Sequence, residues 1–165
     1  MKLIIHDLSK EQAERILPKD KNICVISDNG KIHHCMGCFG CWIKTPAECA
    51  IKDDYSNTGE LLSKCDELII ISQCFYGGFS PFVKNVIDRG ISYVHPYFVI
   101  RNDEMHHRRR YDNHINLHVC FYGANITEKE KRTAEDLVHA NSVNFGCNLK
   151  EVLFASNAEE FGGKL

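Results

Sequence analysis

Glu67-Leu68-Ile69-Ile70-Ile71-Ser72, followed by Gln73-Cys74-Phe75-Tyr76-Gly77-Gly78-Phe79 and then Ser80-Pro81, decides the fold of this chain. Its four consecutive apolar residues are all branched at the β or γ carbon. Such a run is too short for a buried helix and suits a strand covered on both faces, at the centre of a parallel sheet. The glycine-bearing stretch after it reads as a turn, with Ser80 an N-cap and Pro81 the first helical residue. Phe82, Val83, Val86 and Ile87 then mark the buried stripe of a helix that ends at Gly90.

Working outward, residues 3–5 and 23–26 are short apolar strands. They flank a helix over residues 9–17, where Ser9 and Gln12 have capping-box spacing. Asp28, Asn29 and Gly30 signal a turn into a long irregular loop, residues 31–52, that holds most of the chain's chemistry. Asp54 is placed to cap a helix over 55–65, with Tyr55, Thr58, Leu62 and Cys65 on one face. Downstream, residues 91–113 form an excursion in which 97–101 and 105–111 pair around Asn102 and Asp103. Residues 114–121 alternate as a strand, Thr127 and Glu130 repeat the capping-box spacing ahead of a helix ending near Gly146, and 149–155 supply a last strand. Strands alternating with helices predict an α/β fold: a five-stranded parallel sheet with helices on both faces, in three layers, as one domain over residues 1–165. Ligands of such sheets collect at the carboxyl ends of the strands. The cysteine loop and the Gly77 turn are therefore expected to meet at that rim.

The 165 residues carry 20 Lys and Arg against 22 Asp and Glu, a net charge of -2. That balance gives no global field for nucleic acid or anionic membrane, and the longest apolar run, 68–71, is far short of the roughly 18 residues of a span. The partners expected are small molecules or proteins. Nine cysteines, an odd number, with no charged-then-apolar leader in the first ten residues, point to a reducing cytoplasm rather than a disulfide scaffold. No nucleophile elbow, P-loop or GxGxxG is present, which leaves hydrolase and kinase readings without support.

Cys35, Cys38 and Cys41 stand at successive three-residue steps, and Cys49 follows eight residues later. Four soft thiolates in fifteen residues suit a metal centre. The triple step is similar to the cubane-binding run of bacterial ferredoxins, whereas structural zinc commonly takes two separated pairs. Gly37 and Gly40 fall where a chain wrapping a cluster needs positive φ or close backbone approach. A 4Fe-4S cluster, a zinc ion joined by His33 or His34, a reactive thiol or disulfide pair, and ligands that hold no metal are the readings left open. Cys24, Cys65, Cys74, Cys120 and Cys147 are isolated at apolar positions and read as small core residues.

Two segments, Cys-Met-Gly-Cys-Phe-Gly-Cys-Trp-Ile-Lys-Thr-Pro-Ala-Glu-Cys-Ala-Ile-Lys-Asp-Asp over 35–54 and Ser-Gln-Cys-Phe-Tyr-Gly-Gly-Phe-Ser-Pro-Phe-Val-Lys-Asn-Val-Ile-Asp-Arg over 72–89, together resemble the NADPH-dependent FMN reductase and iron–sulfur flavoprotein families of the flavodoxin superfamily. The resemblance covers about a third of the chain at motif level. It implies a flavodoxin-like fold and an FMN-dependent NAD(P)H oxidoreductase or electron-transfer flavoprotein. It also implies a 4Fe-4S cluster on Cys35, Cys38, Cys41 and Cys49, and a small-molecule or protein electron acceptor. The flavin-cradling loop falls on Gln73, Cys74, Phe75, Tyr76, Gly77, Gly78 and Phe79, with Ser80, Lys84, Asp88 and Arg89 on the matching helix. Tyr122 and Gly123 fall at the flavin edge, and Trp42 offers a further aromatic face.

The chain departs from the families at the first turn, which they build from glycine and hydroxyls to hold the flavin phosphate. Here it reads His6-Asp7-Leu8-Ser9-Lys10-Glu11, leaving Ser9 and Lys10 as the phosphate contacts and placing two carboxylates beside them. That departure motivates a rival, a flavin-free binding or partner subunit; a zinc-stabilised module is a second. His106, His107, Arg108, Arg109 and Arg110 form a basic stretch that suits the 2′-phosphate of NADPH, an acidic partner, or a solvated hairpin. Tyr93, Tyr97 and Phe98 lie outside the core pattern and suggest a homodimer or higher homo-oligomer.

Overall fold

The computed structural model describes residues 1–164. The elements run β1 (Lys2–His6), α1 (Lys10–Ile16), β2 (Ile23–Ser27), α2 (Gly40–Ile43), α3 (Thr58–Ser63), β3 (Glu67–Gln73) and α4 (Pro81–Arg89). They continue with a 3₁₀ turn (Gly90–Tyr93), β4 (Val94–Arg101), β5 (Glu104–Arg109), β6 (Asn116–Tyr122), α5 (Glu128–Phe145), β7 (Asn148–Ala155) and a final 3₁₀ turn (Ala158–Phe161).

Five strands form one parallel sheet in the order β2-β1-β3-β6-β7. β3 is its middle strand, and Leu68, Ile69, Ile70 and Ile71 are all buried, as a run without alternation requires. The pleat divides them. Leu68 and Ile70 join Leu3, Ile5, Leu117 and Val119 on the face covered by Leu62 of α3, Phe82, Val83 and Val86 of α4, and Ala134 and Val138 of α5. Ile69 and Ile71 join Ile4 and Cys120 on the opposite face, against Ile16 of α1 and Ala158 and Phe161 of the last 3₁₀ turn. The result is a three-layer α/β fold with one thick helical layer and one thin one.

The local signals explain most helix ends. Ser9 and Thr127 each form a complete capping box, Ser80 caps α4 with Pro81 behind it, and Gly146 ends α5 in the left-handed region. One expectation is corrected. Asp54 does not cap α3: its carboxylate is taken by the Asn29 amide at 2.7 Å, and the helix starts three residues late, behind Asn57. Asp53 instead bends residues 53–57 into turns by accepting the Tyr55 amide at 3.0 Å.

β4 and β5 pair antiparallel as a separate two-stranded ribbon around Asn102 and Asp103, both at positive φ. It is tied down at its base: Arg110 donates to the Ser92 and Val94 carbonyls, and Arg109 to the Asn113 carbonyl.

Candidate functional site

The loop from residue 31 to 52 is held against the end of α4 by one side chain. Arg89, the last residue of α4, has no exposed side-chain surface. Its two terminal nitrogens grip the Asp53 carboxylate at 2.7 and 2.8 Å, and they also donate to the carbonyls of His33 at 2.9 Å and Ile51 at 3.1 Å. Its Nε donates to the Cys49 sulfur at 3.1 Å. The guanidinium holds the Asp53 carboxyl down at about 2, and the carboxylate in turn raises the arginine. Both ends of the cysteine loop are thus fastened to one cation.

Within the loop, Gly37 takes a φ of 61°, and a Cβ on Gly40 would stand 2.7 Å from the Ala50 side chain, so the two glycines permit a tight wrap. The wrap gathers the thiols. Cys41 and Cys49 are buried, Cys35 and Cys38 lie exposed above them, and all four are free thiols. Burial first, and then the neighbouring sulfurs of Cys49, Cys35 and Cys38, push the Cys41 thiol up. Among the described residues no three Cys, His, Asp or Glu side chains close on a single ion. His33 is used through its backbone, which donates to Asp53 and accepts from Arg89.

Beside the thiols lies a cavity of about 500 Å³. Cys35, Cys38, Phe39, Cys41 and Trp42 form one wall, Ile87 and Asp88 of α4 another, His107 of β5 a third, and Asn141, Asn144 and Phe145 of α5 the last. Trp42 is anchored by its indole N–H to the Val94 carbonyl at 3.0 Å.

The turn after β3 is built differently. Phe75 and Gly78 exchange backbone hydrogen bonds at 2.8 and 2.9 Å around Tyr76 and Gly77, both at positive φ. Gly77 is obligatory, because a Cβ there would meet Thr133 and the Glu130 carbonyl of α5 within 3 Å. Tyr76 and Phe75 point outward, at 84% and 47% exposure.

At the carboxyl ends of β1, β3 and β6, the Asp7 carboxylate accepts the Gln73 amide at 2.9 Å and the Tyr122 hydroxyl at 3.0 Å. Three amides of the β1 turn are also spent: Leu8 on His6 Nδ1, Ser9 on the Gln12 side chain, and Gln12 on Ser9 Oγ. Ser9 gives its own proton to Glu11 at 3.0 Å. A flavin phosphate is disfavoured here: the Ser9 hydroxyl and the Leu8, Ser9 and Gln12 amides already have partners, and the Asp7 and Glu11 carboxylates stand beside the one cation of the turn, Lys10. The neighbouring cleft of about 280 Å³ is lined by residues 123–126 after β6, Lys131 of α5, the end of β7 and Glu160, and none of residues 73–79 reaches it.

The expected single rim is therefore corrected. Gly77 packs on Thr133, whereas the thiol cavity begins at Asn141, eight residues or about 12 Å further along α5. The cysteine loop leaves the carboxyl end of β2 but is drawn by Arg89 to the far end of α4. Trp42 goes with it, away from Phe75 and Tyr76. Arg109 and Arg110 serve the Asn113 and Ser92 carbonyls that flank the ribbon, and Lys84 pairs with Asp88 at 2.6 Å. Asp7 and Asp53 carry structural charges that the sequence reading did not assign; a carboxylate in a first strand turn, and one following a cysteine run, were the available signals.

No protein-family model matches the chain, and no curated protein matches it in sequence. Solved structures do match in shape. The azoreductase AzrA superposes with a TM-score of 0.56 at 10% identity, over 97% of this chain and 88% of its own. The Trp repressor binding protein of Bacillus subtilis gives 0.53 at 13% identity, over 98% and 90%. An azoreductase from Bacillus anthracis str. Sterne gives 0.51 at 10% identity, over 93% and 84%. At these identities the likeness is one of architecture: the chain has the three-layer, flavodoxin-like α/β fold.

Proposed function

We propose that this protein is an electron-transfer oxidoreductase whose carrier is a four-iron cluster held by Cys35, Cys38, Cys41 and Cys49. The observation that carries the reading is that one loop brings Cys35, Cys38 and Cys49 near enough to act on the Cys41 thiol, with Cys49 taking a hydrogen bond from Arg89. Four thiolates around iron concentrate negative charge, and a cation donating a hydrogen bond to one sulfur offsets part of it. The cluster would supply one-electron steps. The chain's own part is to bury Cys41 and Cys49, fix the loop through Asp53, and leave Cys35 and Cys38 open toward an acceptor. Two of the shape-related proteins are named azoreductases, which favours reductive chemistry on a small-molecule or protein acceptor; NAD(P)H, a hydride donor, would feed the one-electron cluster through a flavin carried by another protein.

Resident FMN is not part of this reading, because the Asp7 and Glu11 carboxylates and the spent Ser9 hydroxyl make the β1 turn a poor seat for a phosphate. The same contacts favour, as a second reading, a flavin-free partner subunit that keeps the fold without a redox centre. We also propose a cytoplasmic homo-oligomer.

Anaerobic purification with iron and sulfide analysis separates the readings. About four irons per chain and a brown colour that bleaches with dithionite support the cluster. One zinc per chain without iron points to a zinc module, and protein that stays metal-free after anaerobic reconstitution points to the partner subunit.

A further inference from the structure

We infer that the exposed rim of the cysteine loop, carried by Lys31, Met36, Phe39, Ile43 and Lys44, is the docking surface for an acidic flavoprotein. The inference rests on the electron-transfer reading for its purpose, the delivery of electrons to the thiol site; docking itself needs no metal.

The rim is cationic against the balance of the chain. Residues 31–47 hold Lys31, His33, His34 and Lys44 and no Asp or Glu, although the whole chain has a net charge of -2. All four side chains lie on exposed residues, and none joins an ion pair among the described residues. The next lysine along, Lys52, is by contrast paired with Glu48 at 2.6 Å. The two lysines of the rim therefore keep their charge for a group outside the chain, and charge of this kind steers a partner of opposite sign.

Apolar side chains stand among these charges. Met36, Phe39 and Ile43 are 72%, 57% and 77% exposed, and the first two alternate in sequence with the exposed Cys35 and Cys38. Phe39 has a φ of 55°, a left-handed conformation that a bulky residue rarely adopts. It stacks on Trp42 with centroids 5.5 Å apart and still leaves more than half of itself to solvent. An open apolar surface edged by unpaired charge suits a protein face rather than the enclosing walls of a small-molecule site.

The cargo fixes the partner's chemistry. A hydride carries two electrons, whereas an iron centre on thiolates takes one at a time, and a flavin converts the one into the other. NAD(P)H gives its hydride to the partner's flavin, which then releases one proton to water and two electrons in turn. The β1 turn of this chain is a poor phosphate seat, so the flavin arrives on another molecule. Its carrier is acidic, because only a negative face gains from Lys31 and Lys44. Donor and acceptor use the same rim in succession, which requires a transient contact.

The test titrates a short-chain flavodoxin, an acidic FMN protein, into iron-free protein in a calorimeter. Saturable binding near about 10 μM is expected at about 20 mM salt, weakened about tenfold at about 200 mM. Ile43→Glu and Lys44→Glu, both at exposed positions, should each weaken it about tenfold at an unchanged unfolding midpoint. Lys129→Glu makes the same charge change at the opposite end of α5 and should stay within about twofold of the parent. No saturation at low salt, an affinity indifferent to salt, or an equal loss in Lys129→Glu would each overturn the assignment. Iron is counted on separate anaerobic protein, so an absent cluster and an absent docking surface give different results.

Discussion

Arg89 and Asp53 form a buried, two-pronged ion pair across 36 residues of chain, with the remaining guanidinium nitrogen given to the sulfur of Cys49. One side chain at the end of a helix therefore fixes both the loop that carries the thiols and the charge around one of them. A lysine cannot reproduce this, because its single ammonium has neither the fork nor the third direction.

Removing the cation is expected to be severe. Arg89→Met leaves the Asp53 carboxylate without its partner and frees the carbonyls of His33 and Ile51, a loss of about 3–5 kcal/mol for a broken buried pair. Denaturant unfolding measures it. Anaerobic iron content of Arg89→Lys, which keeps the charge, should fall below that of the parent; equal loading would show that the guanidinium does not organise the thiols.

Acid should reveal the same pair. Asp53 titrates at about 2 in the folded chain against an ordinary 3.8, so its contribution is complete above the unfolded value and is lost as pH falls through about 2. At 1.36 kcal/mol per unit the contribution is about 2 kcal/mol. Stability measured between about pH 5 and pH 2 should drop more steeply for the parent than for Asp53→Asn, which has no proton to gain; parallel curves would assign the acid response to other carboxylates.

The order of strands was readable because β3 is apolar without alternation and three helix starts carry paired capping residues, all local signals. The place of the cysteine loop was not. Residues 28–57 lack a periodic face, and their position depends on an arginine that sequence spacing presents only as a helix end. Asp7 was visible as an unwelcome charge near a phosphate site, but its pairing with Tyr122, 115 residues away, belongs to the sheet order rather than to the turn.

That pairing predicts the flavin response. FMN titrated against the protein should show no saturable quenching near about 1 μM, an affinity that needs roughly 8 kcal/mol and hence a bound phosphate. Tight binding would mean that FMN displaces Asp7 from Gln73 and Tyr122. Asp7→Ala should cost about 1–2 kcal/mol in stability, since it strands one amide and one hydroxyl in a partly buried place.

The ribbon of β4 and β5 carries the last prediction. Tyr97, Phe98 and Ile100 are consecutive or nearly so, each more than 60% exposed, and Met105 on the facing strand is 69% exposed. Successive residues of a strand point to opposite faces, so both faces of this ribbon present apolar surface. Two strands alone are marginal in water, and an exposed apolar patch of this kind is commonly a contact surface. A second copy of the chain covering the ribbon satisfies both conditions, and light scattering should give a mass of at least twice 18.9 kDa. Ile100→Glu, at a position with 75% exposure, leaves the fold's own core untouched and should shift the mass to that of the single chain while leaving the far-ultraviolet circular dichroism unchanged. A parent that is already monomeric would leave the ribbon without a like partner and remove the case for a homo-oligomer.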